Sequence, residues 1–153
     1  MPPAYGVQPV LISGYGPYDG FLHHSSYSIL YEGELYPSAL HLFEAMKFED
    51  TRPDISARIR DTQSPDEVFA ISREAENLTR PDWPSVAMDD VLYLKFRQHG
   101  HLRSMLLETG NAPLVYAEPN DHFWGEGHMG QGQNQLGQAL MRVRDRLRAE
   151  LSA

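Results

Sequence analysis

A carboxylate and an amine three residues apart open the chemical reading of this chain. Projected at about 100° per residue, the segment from Ser38 to Phe48 puts Ala39, Leu42, Phe43 and Met46 on a wide apolar face and Phe48 on the far side. Glu44 and Lys47 occupy the stripe between them. On a solvated helix such a pair is an ordinary i,i+3 contact contributing tenths of a kcal/mol. Walled by apolar groups, the same pair offers a carboxylate for acid–base work and an amine able to lose its proton and act as a nucleophile or hydrogen-bond donor. The basic residues are unevenly chosen: eleven are Arg, including Arg142, Arg144, Arg146 and Arg148, and only Lys47 and Lys95 are Lys. Both lysines precede Phe, which is equally consistent with stems packed in the core and ammonium groups reaching water.

A second concentration of chemistry lies between Asn120 and Asn134, where Asp121, Glu126, Phe123, Trp124 and four glycines fall together. Gly125-Glu126-Gly127-His128-Met129-Gly130 formally matches a dinucleotide-binding fingerprint, but it neither follows a strand directly nor opens a helix, and no βαβ alternation surrounds it. The better reading is a ligand loop: Gly125 and Gly127 allow close backbone approach, Trp124 offers a stacking face, and Asp121 or Glu126 presents a carboxylate. An ordered structural turn is the plainer alternative. Asn134 and the residues after it can bring free N–H groups to the start of the last helix, where an anion would sit, or can form an ordinary N-cap. The histidines, His23, His24, His41, His99, His101, His122 and His128, show no ligand spacing of the His-Glu-x-x-His kind, so no metal is expected. A Gly-x-Ser-x-Gly elbow is also absent.

These groups need elements to position them. Val7–Ile12 reads as a short strand, and Tyr27–Glu32 turns through Gly33 toward Leu35-Tyr36 as a small hairpin. Helices are predicted over about Ser38–Phe48 and Ile55–Arg60. Another starts at Ser64-Pro65-Asp66-Glu67, which carries an N-cap Ser, a Pro at the first helical position and a Glu three residues after the cap, and it ends near Asn77. Thr79–Pro84 is a loop, Ser85 caps a helix through Phe96, and Leu102–Glu108 stops at Gly110. Leu114–Tyr116 is a candidate strand. The last helix carries Leu136, Leu140, Val143 and Leu147 at helical spacing. The sum is a mainly helical, compact α+β single domain over 1–153 with a small antiparallel sheet.

Composition bounds the rest. The chain has 153 residues, no cysteine and 13 Lys+Arg against 21 Asp+Glu, a formal net charge of −8. Its length is enough for one real core, and without cysteine there are no disulfides, thiolate metal sites or cysteine nucleophiles. The acidic balance argues against non-specific phosphate-backbone binding as the main activity. No apolar run approaches a membrane span and the first residues lack signal-peptide character, which points to an intracellular, cytoplasmic protein with no membrane partner.

Tyr36-Pro37-Ser38, His41 and Glu44-Ala45-Met46-Lys47-Phe48 resemble the motif stretch of the NADAR (YbiA-like) family. Asp82-Trp83, Lys95-Phe96, Leu106–Gly110, Asp121–Gly127, Gly132–Gly137 and Leu140–Arg144 extend the match in the family's order, from about 21 to 147. The resemblance implies a helical α+β domain, working without a cofactor, that cleaves the bond between ribose C1 and nitrogen. Its partners would be a small phosphorylated riboside of the early riboflavin pathway, or ADP-ribose attached to guanine, including ADP-ribosylated nucleic acid. Within such a reaction Glu44, Lys47, Asp121 and Glu126 are the candidate catalytic residues. Substrate contacts would come from His23, His24, Tyr36, His41, Trp83, Trp124, Gly125, Gly127 and Asn134. Two departures stand out: Phe21-Leu22-His23-His24 replaces the family's Phe-Ser-Asn-Phe, and Leu40 occupies the place of the acid regarded as catalytic in the family. We therefore expect the carboxylate to have moved one helical turn, to Glu44, with His23 or His24 lining its pocket. The alternative is a catalytically silent module that binds ADP-ribose or a related nucleotide.

Overall fold

The computed structural model describes residues 8–79 and 87–152. These described residues fall into two units, one within 23–98 and the other within 8–22 and 99–152.

In the unit 23–98, the hairpin forms as its sequence requires. Strand β1 (Ile29–Tyr31) pairs antiparallel with β2 (Glu34–Tyr36), Leu30 facing Leu35. The two-residue loop has φ of +50° at Glu32 and +81° at Gly33, the left-handed pair that matches strand twist in a tight hairpin. Helix α1 (Ala39–Met46) follows; its N-cap Ser38 accepts the His41 N–H at 3.2 Å, and the same hydroxyl lies 2.7 Å from His41 Nδ1. The helix stops two residues short of the expected Phe48, which is nonetheless fully buried. Helix α2 (Pro53–Arg60) starts at proline, and α3 (Pro65–Glu74) has the Ser64 cap read from sequence, with Ser64 Oγ accepting the Glu67 N–H. Helix α4 (Ala87–Gln98) closes the unit; its expected cap, Ser85, lies outside the described residues, as does Trp83. α1 packs on α2, α3, α4 and β2, with Leu40, Leu42, Phe48, Ile59, Val68, Val91, Leu92 and Phe96 as core. Gln98 clips α4 to the hairpin by taking the Leu30 N–H and donating to the Leu30 carbonyl, both at 2.8 Å.

In the other unit, β3 (Val10–Ile12) and β4 (Leu114–Tyr116) pair in parallel, Val10 opposite Leu114 and Ile12 opposite Tyr116. This parallel pair stands beside the expected small antiparallel sheet, which is the hairpin. Helix α5 (Gly100–Glu108) ends at Gly110, whose φ of +64° is the left-handed C-terminal turn that glycine adopts at no steric cost. Helix α6 (Gln135–Ser152) packs on β4 and α5, burying Leu136, Leu140, Val143 and Leu147. Arg144 is buried with them and donates from Nη1 to Thr109 Oγ1 and the Ala112 carbonyl, while Arg148 donates to the Gly110 carbonyl. Two arginines thus stitch α6 to the end of α5. No helix among the described residues is long and apolar enough to cross a membrane.

Candidate functional site

The apolar walls around the Glu44–Lys47 stripe are real. Glu44 is only 6% exposed, and its Oε1 accepts two donors: Lys47 Nζ at 2.8 Å and Ser72 Oγ, from α3, at 2.5 Å. Lys47 Nζ also sits 5.5 Å from the centre of the Phe43 ring. The pair opens on a cleft of about 280 Å³ lined by Glu44, Lys47, Phe69, Ser72, Arg73, Glu76 and Thr79. Its chemistry is that of an anchored carboxylate beside an aromatic wall and a guanidinium, a set suited to a sugar bearing both a ring and an anionic group.

Four of the cleft's residues come from the face of α3 and the turn after it, and the sequence reading passed over them. The signal was present: Phe69, Ser72, Arg73 and Glu76 follow the i, i+3, i+4, i+7 spacing of one helical face. Phe69, at 41% exposed, is a large aromatic on an otherwise polar surface.

The histidines stand elsewhere. His23 and His24 do not line the cleft, contrary to expectation; their rings meet edge to face, 5.3 Å apart, and His23 is buried. Burial first, then the nearby His24 and Lys95 charges, pull the His23 pKa down to about 3. Lys95 is fully buried too, its Nζ donating to Ser25 Oγ at 2.9 Å and lying 5.5 Å from the Tyr27 ring centre, so its ammonium does not reach out to water. His41 completes the cap of α1, and burial lowers its pKa against an opposing bond to the Thr62 backbone. Tyr36 is buried under the hairpin, its ring 6.4 Å from that of Tyr31. None of His23, His24, Tyr36 and His41 lines the cleft.

His23 sets a pH dependence. Between its unfolded value of 6.5 and its folded value of about 3, the unfolded chain binds a proton that the folded chain refuses. This contribution is therefore complete above 6.5 and lost as pH falls toward 3. Replacing His23 by Asn, the family's residue at this place, is expected to flatten the fall of Tm with pH between 6.5 and about 4. Thermal melts across that range check it; an unchanged slope would mean that His23 titrates without opposing the fold.

The remaining expected site residues belong to the other unit, where the glycine loop is folded on itself. Gly132 N donates to the Glu126 carbonyl, Gln133 N to that of His122, and Gly127 N to that of Glu118. A Cβ on Gly125 would lie 2.9 Å from the Asp121 and Glu118 carbonyls, and one on Gly132 2.7 Å from the Gly125 carbonyl. The close approach that the glycines permit is thus made by the loop's own backbone. Asp121 Oδ1 accepts the N–H groups of Phe123 and Trp124, at 3.1 and 2.8 Å, closing an Asx turn. Trp124 is half-buried, its ring edge to face with Phe123 at 4.8 Å, and Glu126 is half-buried.

Asn134 acts as a short substitute strand. Its side chain accepts the Tyr116 N–H and donates to the Leu114 carbonyl, both at 2.9 Å, along β4. The first amides of α6 are not free either: Asn134, Gln135 and Leu136 donate to the carbonyls of Gly125, Phe123 and Trp124. The expected phosphate cradle is corrected accordingly, because its donors are spent inside the protein. Among the described residues no group of three or more His, Asp or Glu is placed to hold a metal.

Comparison with known proteins agrees with this architecture. The NMR structure of the Escherichia coli protein YbiA superposes with a TM-score of 0.81 at 33% identity, covering 97% of this chain and 92% of that one. The curated N-glycosidase YbiA of E. coli is 36% identical over 136 residues, 87% of this chain and 84% of the relative. A chloroplastic riboflavin biosynthesis protein of Zea mays, PYRR, is 35% identical over 147 residues, 87% of this chain but 23% of that larger protein. The fold class is therefore the mainly helical α+β one of YbiA, with six α-helices, a small antiparallel hairpin and a parallel strand pair among the described residues. The sequence profile of the NADAR domain matches residues 13–148. The chain belongs to the NADAR family.

Proposed function

We propose that this NADAR-family N-glycosidase hydrolyses the ribose C1–nitrogen bond of a phosphorylated riboside, with Glu44 as its principal carboxylate. The observation that carries the reading is the buried Glu44, held by Lys47 and Ser72 at the wall of a cleft. Hydrolysis forms a bond from water oxygen to C1, breaks the C1–N bond with its electron pair leaving on nitrogen, and moves a water proton to that nitrogen. Positive charge develops at C1 on the way, and an anchored carboxylate lowers its energy without reorganising. Phe69 would stack on the base and Arg73 would meet the phosphate. The names of two relatives, N-glycosidase and riboflavin biosynthesis protein, support the reaction class and suggest the substrate family.

Lys47 serves as ion-pair partner rather than as Schiff-base nucleophile, since an ammonium donating to a carboxylate has no lone pair to attack with. Borohydride added with substrate should therefore leave the intact mass of the protein unchanged; an adduct on Lys47 would reverse the assignment. Leu40, 1% exposed in the core at the place of the family's acid, favours one rival, a silent nucleotide-binding module. Incubation with the phosphorylated pyrimidine intermediates of riboflavin synthesis, and separately with an ADP-ribosylated guanine nucleotide, separates the two. Release of free sugar phosphate or ADP-ribose supports the enzyme. Saturable binding without release supports the module and overturns the reaction.

A further inference from the structure

The two donors to Glu44 meet on one oxygen. Lys47 Nζ and Ser72 Oγ both bond Oε1, whereas Oε2 accepts no hydrogen bond among the described residues. The lysine arrives from the next turn of the same helix, so by itself it would follow Glu44 through any movement of α1. Ser72 comes from α3 and is buried, so its hydroxyl ties the carboxylate to a second element. A carboxylate hinged on its own helix can rotate about its terminal torsion, which is soft. One clamped on Oε1 from two directions has a defined Oε2.

We propose that Ser72 is the positioning residue of Glu44, dividing the carboxylate into an anchored oxygen, Oε1, and a working oxygen, Oε2, which is presented to the cleft. This rests on the assignment of Glu44 as the principal carboxylate. It also supplies what a carboxylate displaced by one turn from the family's usual place would need, a partner on the neighbouring helix. The charged groups around the carboxylate are Lys47 on its own helix and, along the cleft, Arg73 on α3 and Glu76 in the turn after it. Of these, only Lys47 touches it. Ser72 contributes the only uncharged donor bound to it among the described residues.

The test compares Ser72→Ala, Ser72→Thr and Glu44→Gln in the intact chain, with kcat and KM read separately on the substrate that the release assay identifies. Loss of the hydroxyl should lower kcat about tenfold or more with KM little changed, as expected when a reacting group is mis-set rather than a binding contact removed. Threonine keeps the hydroxyl and should restore most of kcat. If Ser72→Ala matches the parent in kcat while Glu44→Gln is inactive, the positioning role is wrong and the carboxylate assignment stands. If Glu44→Gln is fully active, the assignment itself fails and the positioning role falls with it. Loss in Ser72→Ala that Ser72→Thr does not repair, or that appears equally in melting temperature, would mark Ser72 as a packing residue only and overturn the inference.

Discussion

Glu44→Gln is expected to lower turnover about a thousandfold or more while moving Tm by no more than a few degrees. The substitution is nearly isosteric, and the amide oxygen of Gln can still accept from Ser72 and Lys47, so the packing of α1 on α3 is preserved. What disappears is the negative charge facing C1 when the sugar becomes an oxocarbenium-like species. Lys47 loses its counter-charge but keeps water on a side chain 22% exposed, so it is not stranded as a fully buried cation would be. Initial rates on the identified riboside, paired with calorimetric melts, measure both halves. Full activity with an unchanged Tm would remove Glu44 from the mechanism.

Gly137→Ala should be the most damaging small change in the unit that holds α6. A Cβ there would lie 2.1 Å from the Leu114 carbonyl oxygen and 2.4 and 2.6 Å from the side-chain amide atoms of Asn134. Neither neighbour can yield: the carbonyl belongs to β4 and accepts from Asn134, and the amide is locked to β4 at both ends. One methyl group therefore forces α6 off the strand, with an expected loss of about 3 kcal/mol or more and a Tm lower by about 10 °C. Gly100→Ala is the control. Its Cβ meets nothing closer than 3.6 Å, the end of the flexible Arg103 side chain, at the start of α5, and alanine there should be neutral or gain a few tenths of a kcal/mol. Chemical denaturation of the two variants decides the matter: equal midpoints would show that α6 and β4 can separate without cost.

The helices and the hairpin were readable because their determinants are local. Ser64-Pro65 starts α3, and Glu32-Gly33 turns the hairpin, each within a few residues of the structure it specifies. The parallel pairing of β3 with β4 was not readable, because two three-residue strands a hundred positions apart carry no pattern that names each other. The same distinction runs through the site. Glu44 and Lys47 share a helix and were found by projection, but Ser72 reaches Glu44 from 28 residues away and left only a one-sided spacing on α3. Asn134 was misjudged for another reason: residue type alone does not tell whether a polar group serves a ligand or the protein's own backbone, and here the side-chain amide is spent on β4.

The glycine loop has a practical bearing on how the molecule can be rebuilt. Its tip is exposed, with Met129 80% accessible, and by surface criteria it would be a natural place to splice a reporter peptide or open new termini. Yet the amides on either side of the tip are bonded back across the loop, and its inner glycines touch backbone that no side chain or extra residue could displace. Insertions belong elsewhere, for instance at the Glu32-Gly33 turn, where added residues would lengthen a hairpin without cutting a closed circuit of hydrogen bonds.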